Sequence, residues 1–440
     1  MTQNEAYAAL AAHLKTTGAL EQVAGVMGWD QEVMMPPKGD AQRAEQMGAL
    51  EQVLHARRGD ERIGEWLAQI DSTQLDQAAR VNVAEAQKAY DRARRVPSDL
   101  AEALARKTAA AMGIWAQARK DSDFSGFAPV LDEILTLKRR EAEARHEGEA
   151  ELYDVLLDDY EPGQSGAMIA EILGRLRNGL VDLHENILAS GKIVKPLTGS
   201  FDADTQMALG TEIAKTFCYD CLYSVIHEVG HAVYEQNMPA EHAMMPAGFY
   251  ASMGVHESQS RLFENQIGRS REFCHHLFAK FSAAFGDQGL DAETFYATVN
   301  RVHPGFIRTE SDEVFYNLHV LLRFDLERAM INGDLAVNDL EAAWNDRFAA
   351  DFGQKVDRAA NGVLQDVHWS VGLFGYFPTY ALGNIYAACL FEAMQKALPD
   401  TKANIAKGLL AEPIGWLTKN IHRHGRMVPP VELITNATGR

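Results

Sequence analysis

Two histidines, His227 and His231, flank Glu228 in the stretch IHEVGHAVYEQ. On a helix, residues four apart share one face about one turn apart, so both imidazoles could hold the same ion. In this pattern the glutamate is not a ligand. It serves as general base toward a water that the metal makes acidic. Ile226, Val229, Gly230 and Val233 make the helix apolar and predict its burial. A buried pair of histidines needs a partner. Glycine in mid-helix costs about 1 kcal/mol relative to alanine, so Gly230 predicts the close approach of a neighbour. Two histidines on a solvated helix face would be the plain alternative, and the apolar context weighs against it.

A third protein ligand is required for such a site. Six residues after His231 the chain carries Asn237, so a pattern extended by a third histidine fails. A following helix can supply a glutamate instead. The segment GVHESQSRLFENQIGRS offers Glu257 first, with Glu264 better suited to support a ligand than to be one. Glu257 and Arg261 stand at i, i+4. A solvated acidic face is again the plain alternative. The set His227, His231 and Glu257 implies one divalent ion per chain, zinc before any other. Stabilising a developing oxyanion needs a hydrogen-bond donor. Tyr376 and Tyr380 in GYFPTY are candidates, as is His256, although aromatic residues beside Gly and Pro commonly serve only to pack a loop.

These side chains must be positioned by helices, because the chain reads as helix almost throughout. The opening stretch is helical in period and is expected to break near Gly18. A Pro-Pro-Lys-Gly turn precedes a helix closing at Gly59. Ser165 is placed to cap a further helix, and another is expected to end at Asn332-Gly333. The main irregular segment is KIVKPLTGSFDAD, and no alternation typical of strands stands out. The expected fold is all-α with little or no β-sheet, a single unit over residues 1–440.

The composition supports a globular protein: of 440 residues, 47% are apolar and 23% charged. The formal charge of −19 argues against nucleic acid as a partner, since phosphate binding needs basic clusters. Four cysteines are too few for a disulfide framework at this length. Cys218 and Cys221 form a C-x-x-C, but a zinc ribbon would need a second pair, and the strand-helix-strand setting of a redox site is not visible. No signal peptide or membrane span is read from the sequence, so the expected location is the cytoplasm.

Taken with VMGWDQEVMMPPKG, YDVLLDDYEPG, GFIRTESDEVFYNLHVLLRFDLE and NIHRHGRMVPPVELITNATG, the two metal-site segments resemble the thermostable carboxypeptidase Taq family of metallocarboxypeptidases along nearly the whole length. The resemblance implies a large helical domain of two lobes flanking a deep cleft, as in neurolysin-like peptidases. It implies zinc or cobalt on His227, His231 and Glu257, with Glu228 as base. It implies release of C-terminal residues from peptides, and a homodimer. One departure stands out. The family carries a His-Pro-Phe and an Asp-x-Arg-x-Thr motif before the histidine helix, and here GTEIAKTFCYD runs straight into CLYSVIHEVGH. Roughly thirty residues of cleft wall are expected to be absent.

An enzyme of this kind must read a free carboxylate, which Arg does through a bidentate, charge-assisted pair. Arg308 in IRTESD matches the family's Ile-Arg-x-x-Ala-Asp motif, with Ser311 in place of Ala. Its plain alternative is a salt bridge to Asp312 or Glu313. Arg423 in IHRHGR is the second candidate. Besides a metallocarboxypeptidase, the sequence leaves open an oligopeptidase of changed specificity, or a metal-binding pseudoenzyme. Intact Glu228 argues against the last.

Overall fold

A computed structural model describes residues 1–440 except 149, 193, 198–200, 203, 207 and 211–221. The Cys218–Cys221 pair and the stretch leading into the histidine helix lie outside the described residues. Among those described there is no strand. The N-terminal part of the chain forms α1 (Gln3–Val33), α2 (Asp40–Arg58), α3 (Glu61–Leu67), α4 (Gln77–Arg95) and α5 (Ser98–Asp121). Then come α6 (Phe124–Arg145), α7 (Leu152–Leu157) and α8 (Gly166–Ala189). The site elements are α9 (Leu222–Asn237), α10 (Met253–Arg261), α11 (Arg271–Phe285), α12 (Ala292–Val299), α13 (Glu313–Asn332), α14 (Leu340–Phe352) and α15 (Pro378–Ala397).

Local chemistry explains most of these boundaries. Ser165 accepts from the Met168 N–H and starts α8. Gly59 closes α2, and Gly333, at φ 93°, ends α13 in the left-handed conformation that glycine adopts without strain. The expected break near Gly18 does not occur: α1 runs unbroken through it. A Cβ at Gly18 would lie 2.5 Å from the Met244 carbonyl oxygen. This glycine therefore allows a close backbone approach rather than a turn.

Two apolar clusters carry the site. One joins α6, α7, α8, α13 and α14 to the start of α15, with Phe315, Phe324, Trp344, Phe348 and Phe377 fully buried. The other joins α9, α10 and α11 to the rest of α15 and the C-terminal residues. Tyr386 on α15 packs against both. Helix α15 thus ties the two clusters together along the line where the chemistry lies.

Candidate active site

Helix α9 buries Ile226, Val229 and Val233, as its apolar face predicts. Gly230 meets α10 at close range: a Cβ there would fall 2.5 Å from Ser260 Cα and from the Gln259 carbonyl oxygen. Only glycine lets the two helices come so near, which justifies its cost in propensity. Helix α10 is capped by Ser252, which accepts from the Val255 N–H at 3.1 Å. The chain at Tyr160 and Glu161 docks on that same end. Tyr160 C=O accepts from the Met253 N–H at 2.9 Å, and the Glu161 carboxylate accepts from the Gly254 N–H. Burial pushes the Glu161 carboxyl up to about 8.

The packing brings His227 Nε2 to 3.5 Å and His231 Nε2 to 3.4 Å from the same oxygen of Glu257, Oε2. One ligand atom from each of the three residues lies within 4.8 Å of the others. The predicted ligands are therefore together, and their donor set of two imidazoles and a carboxylate fits a divalent ion. The cradle is tight. A Cβ on Gly383 of α15 would sit 2.5 Å from Glu257 Cγ, so the backbone of α15 packs directly against the Glu257 side chain.

Glu257 is itself oriented. Its Oε1 accepts from Arg261 Nε at 2.7 Å, and its Oε2 accepts from Ser260 Oγ at 3.0 Å. Burial would raise its carboxyl, but Arg261 and the two histidines outweigh that and hold it well below the usual range. Beyond Arg261 the helix continues as a π-helical turn, Leu262–Gly268, which carries Glu264. Glu264 Oε2 lies 2.9 Å from His227 Nδ1 and also accepts from Arg261 at 3.1 Å. Against burial, the bond to His227 and the charges of Arg261 and Arg269 hold Glu264 near 2. Burial lowers the His227 imidazole, but Glu257 and Glu264 together raise it overall; for His231 burial prevails and the imidazole is lowered. Glu228, one residue along α9, is exposed.

The remaining predicted residues fall into three places. Tyr376 and Tyr380 lie at the start of α15, ring centroids 5.4 Å apart, with Tyr380 Oη 2.9 Å from His368 Nε2. Burial, and after it the Glu257 charge, holds the Tyr376 phenol well above its ordinary range, so it stays a donor. Arg308 is buried, 5% exposed. Its Nε and Nη2 donate to Asp366 Oδ1 at 3.0 and 2.9 Å, and its Nη1 donates to Tyr316 Oη at 2.9 Å. The Tyr380 ring lies across its guanidinium at 4.7 Å. Arg423 is exposed on a short turn, whose neighbour His422 bonds Gln259 on α10.

The residue that organises the arginine end, Asp366, escapes a reading by local spacing. It is shared by two guanidinium groups, since Arg323 Nε also donates to its Oδ2 at 2.6 Å. Glu327, equally unforeseen, accepts from Tyr153 Oη at 2.5 Å and Trp369 Nε1 at 3.2 Å. It anchors the loop that bears Asp366 and His368. The contact of Gly383 with Glu257 and the approach of His231 Nδ1 to His256 Nδ1, 2.5 Å apart, are likewise hidden, because each joins residues distant along the chain.

Comparison with known proteins accords with this geometry. The family described as carboxypeptidase Taq (M32) metallopeptidase matches residues 9–222 and 219–440. Thermostable carboxypeptidase 1 of Thermus thermophilus is 36% identical over 491 aligned residues, covering 100% of this chain and 96% of the relative. Carboxypeptidase 1 of Bacillus subtilis is 31% identical, covering 97% and 93%. The crystal structure of the M32 carboxypeptidase from Deinococcus radiodurans R1 superposes with a TM-score of 0.90 at 31% identity, covering 99% and 96%. The expected resemblance, the all-α fold and the carboxypeptidase reading all hold, and no helix among the described residues is long and apolar enough to cross a membrane. With two histidines and a glutamate gathered for a divalent ion in a helical fold shared from end to end with these enzymes, the chain belongs to the carboxypeptidase Taq (M32) family and is a metallocarboxypeptidase.

Proposed function

We propose that this enzyme divides its work between a hydrolytic end at α9–α10 and a carboxylate-reading end at Arg308. The observation that carries the reading is the convergence of His227 Nε2 and His231 Nε2 on one oxygen of Glu257, at 3.5 and 3.4 Å. Zinc is the favoured ion and cobalt the alternative. A bound ion would supply Lewis acidity toward the scissile carbonyl and make water a better nucleophile. Glu228, exposed beside His227, takes the proton from that water and returns it to the leaving amine. Tyr376 and Tyr380 supply phenolic donors toward the oxyanion.

Arg308 would pair with the C-terminal carboxylate of the peptide. An arginine carries five N–H groups, and three of those on Arg308 are bonded to Asp366 and Tyr316 among the described residues. The other two remain for an incoming anion. The trio of Arg308, Arg323 and Asp366 holds one more positive charge than negative in a buried setting, and such an excess favours an anionic ligand. Arg423, on its exposed turn, would act at most on more distant parts of a peptide.

The shortened stretch before α9 belongs to the same reading. It is supported by the family match, which falls into two pieces meeting at residues 219–222, and by an alignment of 491 residues against a chain of 440. Two helical lobes about the cleft, a homodimer and a cytoplasmic location follow from family likeness as part of the proposal. The direct experiment incubates the zinc-loaded chain with an N-blocked peptide and follows the products by mass spectrometry. Stepwise loss of C-terminal residues is expected, and Glu228→Gln should bind zinc yet cleave about 10²–10⁴-fold more slowly. Internal cleavage, or full activity in Glu228→Gln, would contradict the reading.

A further inference from the structure

The two histidines facing Glu257 are supported from behind in different ways. His227 reaches a carboxylate directly, through Nδ1 and Glu264 Oε2 at 2.9 Å. His231 reaches one only through another ring. Its Nδ1 lies 2.5 Å from Nδ1 of His256, and His256 Nε2 lies 2.9 Å from Glu235 Oε1. His256 is 9% exposed and packed among the rings of Tyr234 and Tyr250, at 5.2 and 5.0 Å, so its plane is fixed.

Donor and acceptor bookkeeping assigns every proton along this line. A neutral imidazole has one N–H and one acceptor nitrogen. For His231 to bind an ion through Nε2, the nitrogen turned to Glu257, its proton must sit on Nδ1. That N–H then donates to His256 Nδ1. His256 must therefore carry its own proton on Nε2, and this donates to the Glu235 carboxylate, which can only accept. No atom is asked to play two roles. Both nitrogens of His256 are thereby committed, leaving it no donor for an oxyanion.

We propose that His256 is a positioning residue for His231, setting its tautomer and ring plane, with Glu235 holding His256 in turn. This rests on the reading of His231 as a metal ligand. It makes the two histidine ligands unequal, one backed by a carboxylate 13% exposed and the other by a relay ending at one 49% exposed. Such outer partners typically contribute about 10–100-fold to metal affinity.

The test loads the full chain with zinc alone. It measures the dissociation constant by competition with a chromophoric chelator and records the visible spectrum of the cobalt-loaded form. His256→Phe keeps a ring but offers no acceptor, and is expected to weaken zinc by about 10–100-fold and to shift the cobalt spectrum. His256→Asn, whose amide oxygen can take the place of Nδ1, should restore most of the affinity. Glu235→Ala alters only a half-exposed side chain and should weaken zinc in the same direction by a smaller factor. Parent-level affinity in His256→Phe, or an Asn variant as weak as Phe, would overturn the proposal. Should His256→Phe fail to fold, parent-level affinity in Glu235→Ala would overturn it instead. A parent chain that binds no stoichiometric zinc would overturn the metal reading itself. Tight zinc in the parent with no effect of these changes would overturn only the role of His256.

Discussion

The metal end and the arginine end of this site are built in opposite ways. At the metal end, two glycines let backbones come close around the three candidate ligands, with Gly230 admitting α10 and Gly383 bearing on Glu257. One candidate ligand atom from each of the three lies within 4.8 Å of the others. At the arginine end the charge is only partly answered, because the single carboxylate of Asp366 lies between Arg308 and Arg323. A small ion with fixed geometry demands preformed donors. A flexible carboxylate can be met by a guanidinium that is held from behind and offers only its remaining N–H groups. The first end achieves precision by close packing of backbones, the second by a shared carboxylate that fixes two guanidinium groups and leaves one positive charge over.

The same contrast governs how much could be read from the sequence. His227 and His231 lie on one helix, so the helical period alone put them on one face, and Glu257 was found because α10 follows soon after. The i, i+4 pairing of Glu257 with Arg261 was equally local and is present at 2.7 Å. The arginine end has no such period. Sequence neighbours of Arg308 suggested Asp312 or Glu313 as its partner, but Asp312 is occupied as the cap of α13. It accepts from the Val314 and Phe315 N–H groups at 2.9 and 3.1 Å. The true partner, Asp366, stands 58 residues away. Gly18 misled for a related reason: its neighbour is Met244, which local propensity cannot see.

The comparison can be broken at either end. The largest effect is expected at Asp366. Asp366→Asn removes the anion between two buried guanidinium groups, and breaking such a buried pair costs about 3–5 kcal/mol. Denaturant unfolding should show that loss, while zinc affinity of the folded fraction stays at the parent level. A matching fall in zinc affinity would mean that the two ends are not separate. Next comes Gly383→Ala, whose methyl would meet Glu257 Cγ at 2.5 Å. Overpacking of this kind costs about 1–3 kcal/mol, and a displaced ligand should lower kcat/KM by about 10²-fold. Here zinc affinity must fall along with activity. Activity unchanged in Gly383→Ala would mean that the α15 backbone does not position Glu257.

The measurement that bears most directly on the division of labour uses one peptide in two forms, with a free C-terminal carboxylate and with a C-terminal amide. Initial rates of C-terminal cleavage would be compared in the parent and in Arg308→Ala, both zinc-loaded. The account predicts a strong preference of the parent for the free acid, and its collapse in Arg308→Ala through a loss of about 2–5 kcal/mol on the acid alone. Equal rates on acid and amide in the parent, or an undiminished preference in Arg308→Ala, would contradict it.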